Sequence, residues 1–162
     1  MKTYRLYNVL FPLWMLIIFP SVWLVVVPAN FIIDSAVLLI AAHFFCRGME
    51  KEIWKKSIVK VFLFGFLSDF VGSAFLLGGT MIGGYSGIAF IEDLFIDTQN
   101  GPGSIGGFFI LLFAVALAGI CIYFFDYKIA FKKLEIEDAE KKKLALALAI
   151  ATAPYTFFIP LY

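Results

Sequence analysis

An aspartate in the middle of a long apolar stretch is the first residue of this chain that calls for a chemical explanation. Asp69 lies within residues 57–79, a run long enough to cross a bilayer as a helix. A carboxylate at bilayer depth costs roughly 2.5–3.5 kcal/mol, so we expect it to face protein or water rather than lipid. Helical spacing places small and polar residues on the same face: Gly65, Ser68, Gly72 and Ser73. This face would let another helix approach closely and give the carboxylate polar neighbours.

Two further ionisable residues, Asp34 and His43, lie in an earlier apolar stretch, residues 31–46. Asp34 follows the predicted helix start by one turn, so it either complements the helix dipole near water or serves as an ion or proton ligand at an outer vestibule. His43 is either a neutral imidazole bonded to a carbonyl or a proton relay. Nine residues separate the two, about half a turn out of phase, so they cannot pair within one helix. The candidate transport or polar-core residues are therefore Asp69, Asp34, Ser68, Ser73 and His43.

Several kinds of chemistry have no residues to support them. The chain has no phosphate-binding loop and no nucleophile motif, and its single histidine excludes a site with several histidine ligands. We expect Asp34 near the outer surface and Asp69 near the bilayer centre, too far apart in depth to act as a catalytic aspartate pair. The sequence therefore predicts no enzyme, no cofactor and no metal site.

Composition places the chain in a membrane. Hydrophobic residues make up 62% of it and charged residues 15%, below the roughly 25% of a soluble domain. We predict a single all-α polytopic membrane domain, residues 1–162, with five transmembrane helices. The predicted spans are residues 9–27, 31–46, 57–79, 104–125 and 144–161.

Prolines predict the main irregularities of these spans. Pro28-Ala29-Asn30 predicts a tight turn between the first two spans, with Asn30 as the N-cap of the second. Pro20 and Pro154 lie inside predicted spans, where each should kink its helix. Such a kink either serves packing or acts as a hinge, so Pro20 and Pro154 are hinge candidates.

The segment 80–103 is glycine-rich, too long for a hairpin loop and too apolar for a solvated one. Within it, residues 86–96 predict a short interfacial or re-entrant helix capped by Ser86. Glu92, Asp93 and Asp97 form its wet side. These carboxylates either make a negatively charged outer rim or collect a hard cation through oxygen ligands.

The distribution of basic residues predicts the orientation. With the N-terminus in the cytoplasm, all thirteen Lys and Arg residues fall on the inner side, within residues 2–5, 47–60 and 128–143. The outer segments then hold carboxylates and no basic residue. This bias predicts five spans with the N-terminus inside and the C-terminus outside, in a bacterial plasma membrane. Asp126 lies beside Lys128 at the inner interface and receives no special role.

Two functions fit these features. In the first, the chain is a small transporter, channel or transport-complex subunit that moves a small solute or ion past an intramembrane carboxylate. In the second, it is a non-catalytic structural or assembly subunit of a larger membrane complex. Both predict contact with the lipid bilayer and a homo-oligomer or other membrane subunits. A cytoplasmic partner could dock at residues 47–56 and 126–143, and no basic patch favours nucleic acid.

Overall fold

The computed structural model describes residues 20–98 and 104–158, and within these residues every regular element is a helix. The five α-helices are α1 (Pro20–Phe45), α2 (Glu50–Ser86), α3 (Ala89–Ile96), α4 (Ile105–Phe125) and α5 (Asp138–Ala151). A π-helical turn, Asp126–Ala130, continues α4, and a 3-10 turn, Tyr155–Phe158, follows α5. The predicted all-α class is confirmed for this part of the chain.

Within residues 20–98 and 104–158, three helical stretches are long and apolar enough to cross a membrane. They are Leu24–Phe45, Glu50–Ser86 and Ile105–Ala130, with 22, 37 and 26 residues. Large apolar side chains project from them without any covering residue; Leu24 and Phe44 on α1 are 78% and 70% exposed. Such surfaces suit contact with lipid chains. The chain is therefore a membrane protein.

The predicted turn at residues 28–30 is wrong, because α1 runs through it without a break. Pro28 lies inside the helix, where its ring removes one backbone hydrogen bond but does not end the helix. Asn30 is accordingly an interior residue and caps nothing. The predicted spans 9–27 and 31–46 thus share one helix from Pro20 onward, and residues 1–19 lie outside the described part.

The predicted outer loop is shorter than expected, because α2 continues to Ser86 rather than ending at Gly79. Gly87 then ends the helix in a left-handed conformation with φ of 67°, which glycine adopts at little cost. The predicted short helix is present as α3. Its N-cap is Ile88 rather than Ser86, whose hydroxyl accepts a hydrogen bond from the Ile88 amide at 3.3 Å.

The fourth predicted span matches α4, and Ser104 caps it by accepting a hydrogen bond from the Gly107 amide at 3.0 Å. The fifth, residues 144–161, is not one continuous helix. Its α-helical part is α5, which begins at Asp138 and stops at Ala151 after 14 residues. Pro154 therefore follows a helix end instead of kinking a helix, and the 3-10 turn comes directly after it.

The small residues identified in the sequence bring the helices close together. A Cβ atom added at Gly72 on α2 would lie 3.2 Å from the carbonyl oxygen of Ala114 and 3.3 Å from the Cβ of Ala118, both on α4. One added at Gly119 would lie 3.4 Å from the carbonyl oxygen of Ala149 on α5. The predicted small-residue face of the third span is thus used within the chain at Gly72, and small residues of α4 and α5 meet in the same way.

Buried apolar side chains form two clusters. The large cluster contains Leu38, Ala41, Ala42, Cys46, Ile53, Ile58, Val61, Ile122, Ala130, Phe131, Leu134, Leu144, Ala145, Leu148 and Ala149. The small cluster contains Leu76, Leu111 and Ala114. The large cluster adjoins the connections 46–49 and 131–137, and we call this end of the bundle the basic end. We call the opposite end, where α3 lies, the acidic end.

Candidate functional site

Asp34 lies in the interior of the bundle, against α2. Its side chain is buried, and its Oδ2 atom is 3.5 Å from the position that a Cβ atom on Gly65 would take. Because α1 is continuous from Pro20, Asp34 is a mid-helix residue and does not lie one turn from a helix start. The interpretation of Asp34 as a helix-dipole residue therefore fails, and its buried contact with α2 needs another explanation.

Asp69 follows Gly65 by one turn on α2, which corresponds to a rise of about 6 Å. One of its carboxylate oxygens, Oδ1, is buried and has no hydrogen-bond donor among the described residues. Ser68 is fully buried, but its hydroxyl donates to the Phe64 carbonyl of its own helix at 2.7 Å. Ser73 is buried one turn further along. The predicted polar face is therefore largely internal, and the Ser68 hydroxyl bonds to its own helix rather than to Asp69.

Asp126 is a third buried carboxylate, which the sequence interpretation missed. It begins the π-helical turn, is fully buried, and both of its carboxylate oxygens lack a hydrogen-bond donor among the described residues. Lys128, the expected neighbour, instead lies over the Tyr127 ring at 4.7 Å. Ala114, Ala118, Ile122, Asp126 and Ala130 are buried at intervals of four residues. That periodicity is the signal in the sequence that puts Asp126 on the packing face of its helix.

Asp34 is the middle member of these three carboxylates. Its Oδ2 atom faces Gly65 of α2, one turn from Asp69. The stacked rings of Phe64 and Phe125, whose centroids are 5.2 Å apart, hold the start of the π-helical turn beside the same part of α2. We call Asp34, Asp69 and Asp126 the carboxylate group of the bundle. One comes from each of the three helices that are long enough to cross a membrane.

The carboxylate group has no basic partner in the part of the chain that the structure describes. The ion pairs there join His43 to Glu50, Lys56 to Glu52 and Lys142 to Asp138, all away from the carboxylate group. Burying a carboxylate without a compensating cation costs several kcal/mol. A stable core gains nothing from three such groups, so their presence indicates a role outside packing.

The carboxylate group is too open to hold a metal ion by itself. Among the described residues, no three His, Cys, Asp or Glu side chains converge at metal-binding distance. Calcium takes six to eight oxygen ligands, and magnesium demands near-octahedral geometry. The three carboxylates are instead spaced along the bundle, so they do not surround one common point.

The remaining predicted site residues lie elsewhere. His43 is exposed at the basic end, where its Nδ1 atom is 3.1 Å from Glu50 Oε1, so it is not a neighbour of Asp69. Glu92, Asp93 and Asp97 belong to α3 and its C-cap at the acidic end. Pro20 is the first described residue of α1, so the predicted kink around it lies partly outside the described residues.

The helix α3 and its C-cap residue Asp97 lie close against glycines of α2 and α4. A Cβ atom on Gly83 of α2 would be 3.1 Å from the Glu92 Cα atom, and one on Gly107 of α4 would be 3.3 Å from the Asp97 Cβ atom. Asp93 is exposed. The glycines thus hold α3 across the ends of α2 and α4, and the three carboxylates stand at one end of the bundle.

Comparison of the chain with protein-family models, with curated proteins and with solved structures finds no match.

Proposed function

We propose that this protein moves a small solute or ion, in particular a small cation, across a membrane past the carboxylates of Asp69 and Asp34. The observation that carries the proposal is the carboxylate group itself. Its members come from three apolar helices, lie inside the bundle and have no basic partner among the described residues. Intramembrane carboxylates of this kind typically mark ion and proton pathways.

The proposed location is a bacterial plasma membrane, with the basic end in the cytoplasm. The two basic segments, residues 47–60 and 128–143, belong to the same end of the bundle, where the Lys143 ammonium lies 5.9 Å above the Phe45 ring. The carboxylates of α3 lie at the other end. This distribution supports the positive-inside orientation. The proposed five spans and cytoplasmic N-terminus also depend on residues 1–19, outside the described part.

Cation flux into proteoliposomes tests the proposal. Asp69→Asn keeps the shape of the side chain but removes its charge, so we expect flux to fall at least tenfold. Glu135→Gln, which removes an exposed charge outside both the carboxylate group and the acidic end, serves as the matched control and should leave flux unchanged. Equal flux in the wild type and the Asp69→Asn variant, with both folded, would overturn the proposal.

The alternative function, a non-catalytic structural or assembly subunit, is favoured by one feature. At about 1.5 Å per residue, the 14 residues of α5 extend about 21 Å, less than the ~30 Å of a hydrocarbon core. Among the described residues a 3-10 turn, Tyr155–Phe158, follows α5. A helix this short would be completed across the bilayer by packing beside a neighbouring subunit or a second copy of the chain. Part of the proposed cytoplasmic docking surface is already used internally, because Ile53, Phe131 and Leu134 are buried.

Intact-complex mass spectrometry after gentle solubilisation separates the two functions. A stoichiometric partner lost in Asp69→Asn would favour the assembly subunit. A monomer or homo-oligomer whose mass is unchanged in this variant would favour self-contained passage.

A further inference from the structure

We infer that the cation moved by this protein is a proton, and that Asp126 is its acceptor nearest the basic end. This inference rests on the proposed function and gives its cation a chemical class. It adds a third carboxylate to the pathway, on the basis of its position in the bundle and of its missing hydrogen-bond partners.

The first argument is the state of Asp126. Its side chain is fully buried, and neither carboxylate oxygen has a hydrogen-bond donor among the described residues. It lies at a π-helical turn, an irregularity that is frequent at functional sites. The Phe131 amide donates a hydrogen bond to the Asp126 backbone carbonyl at 2.8 Å. The backbone hydrogen bond that closes the π-helical turn therefore does not involve the Asp126 carboxylate. The side chain is therefore free to accept a ligand from inside the bundle.

The second argument is the order of the carboxylates. On α2, Gly65 marks the level of Asp34, and Asp69 lies one turn nearer the acidic end. Asp126 lies beyond Ile122 toward the basic end, where Ala130 and Phe131 enter the large cluster. In the inferred pathway a proton occupies Asp69, Asp34 and Asp126 in turn. In each step the donor carboxyl becomes a carboxylate as the acceptor becomes a carboxylic acid.

The third argument is the number of ligands. A proton needs one carboxylate oxygen at a time, whereas a dehydrated metal cation needs several oxygens together. No such convergence exists among the described residues. The Ser68 hydroxyl, the nearest side chain to Asp69 in the sequence, is already bonded to its own backbone. At Gly72, one turn beyond Ser68, the helices pack closely, since an added Cβ atom would lie 3.0 Å from the Phe157 ring.

The other charged groups on the surrounding helices have partners of their own, so only the three aspartates belong to the inferred pathway. Asp34 on α1 faces α2 at Gly65, one turn from Asp69. On α5, Glu140 accepts a hydrogen bond from the Glu137 amide at 3.2 Å and acts on Cys46 instead. Asp138, at the start of α5, accepts a hydrogen bond from the Tyr127 hydroxyl and forms an ion pair with Lys142.

The experiment is proton uptake by proteoliposomes that contain the full chain and an internal pH dye, driven by a potassium gradient with valinomycin. We expect the wild type to acidify the interior and Asp126→Asn to do so at least tenfold more slowly. Glu135→Gln, an exposed acidic residue at the same end, is the matched control and should behave as the wild type. Unchanged proton uptake in Asp126→Asn would overturn the role of this residue.

Two further measurements keep the outcomes distinct. Sodium and potassium entry is followed with ion-selective dyes: entry of either without acidification overturns the proton inference but supports the proposed function, and absence of any cation flux overturns both. Should Asp126→Asn not fold, the wild type is treated with dicyclohexylcarbodiimide, which reacts with buried carboxylic acids. We expect loss of proton uptake together with a modified Asp126 peptide, and an unmodified Asp126 with full inhibition would contradict its role.

Discussion

The two ends of the bundle are held together in different ways. At the basic end, fifteen buried residues from four helices (α1, α2, α4 and α5) and from the segments after α1 and α4 form the large cluster. At the acidic end the small cluster has three buried residues, and α3 is held by close approach to glycines. The first end depends on the amount of apolar surface it buries, and the second on the absence of side chains at a few positions. Substitutions should therefore damage the two ends by different mechanisms.

The largest effect is expected from Phe131→Ala in the large cluster. Phe131 is fully buried between the π-helical turn and α5, and truncating a buried phenylalanine costs about 3–5 kcal/mol of unfolding free energy. Unfolding in mixed micelles, followed by circular dichroism, measures the loss. Phe124→Ala is the matched control, since that ring is 53% exposed and should change stability little. Equal losses in both variants would mean that the large cluster does not stabilise the basic end.

The chemical reactivity of Cys46 tests the same cluster without disturbing it. Burial raises the pKa of this thiol to about 11, and the nearby Glu140 carboxylate acts in the same direction. The reactive thiolate is therefore scarce at pH 8, and we expect alkylation about 100-fold slower than at an ordinary thiol with a pKa near 8.5. Because the thiolate fraction grows up to the pKa, the rate should keep rising from pH 8 to pH 11.

The Cys46 measurement uses a Cys121→Ser background, so that one thiol reacts, and follows iodoacetamide labelling by mass spectrometry. A protein with Cys46→Ser and Glu135→Cys added supplies an exposed thiol at the same end. A Cys46 rate that levels off near pH 9, as at the exposed thiol, would show that the large cluster admits water.

The helices of the acidic end could be predicted from the sequence better than the start of the bundle. Ser104, a small polar residue directly before an unbroken apolar run, marks the beginning of α4 by local chemistry alone. The Pro28-Ala29-Asn30 motif is ambiguous by contrast. It makes a turn in water, yet within a long apolar helix the loss of one hydrogen bond at Pro28 is tolerated. Whether the motif forms a turn or continues the helix depends on its surroundings in the folded protein, which the three residues themselves do not specify.

The candidate site could also be predicted from the sequence only where a local signal was sufficient. Asp69 stands out because an isolated charge in an apolar run has no local explanation, and the structure finds it inside the bundle. Asp126 is interpreted from the sequence as an interfacial charge because Lys128 lies two residues away. That interpretation leaves unused the four-residue spacing that places Asp126 on the buried face of α4 and the π-helical turn. Which side of α4 faces the bundle depends on how α2 and α5 pack against it.

Adding a methyl group at the acidic end tests whether α3 is held there by its close approach to glycines. In Gly79→Ala the new Cβ atom overlaps the Phe95 ring of α3, so the ring and its helix must move, at a cost of about 1–3 kcal/mol. Gly78→Ala is the matched control, because nothing lies within 4 Å of its added Cβ atom. Hydrogen exchange over residues 89–96 should become faster in Gly79→Ala alone. Equal exchange in both variants would mean that α3 is not held by this contact.

The smallest effect is expected at the cap of α4. The Ser104 hydroxyl oxygen accepts a hydrogen bond from the Gly107 amide at 3.0 Å, and removing such a cap costs about 1 kcal/mol. We expect Ser104→Ala to lower the unfolding free energy by that amount and Ser104→Thr, which keeps the oxygen, to restore most of it. Because Gly107 also contacts Asp97, the loss should be accompanied by faster hydrogen exchange in α3, while Cys46 at the basic end should label at its wild-type rate. Faster Cys46 labelling in Ser104→Ala would show that the two ends unfold together and that their different packing does not make them independent.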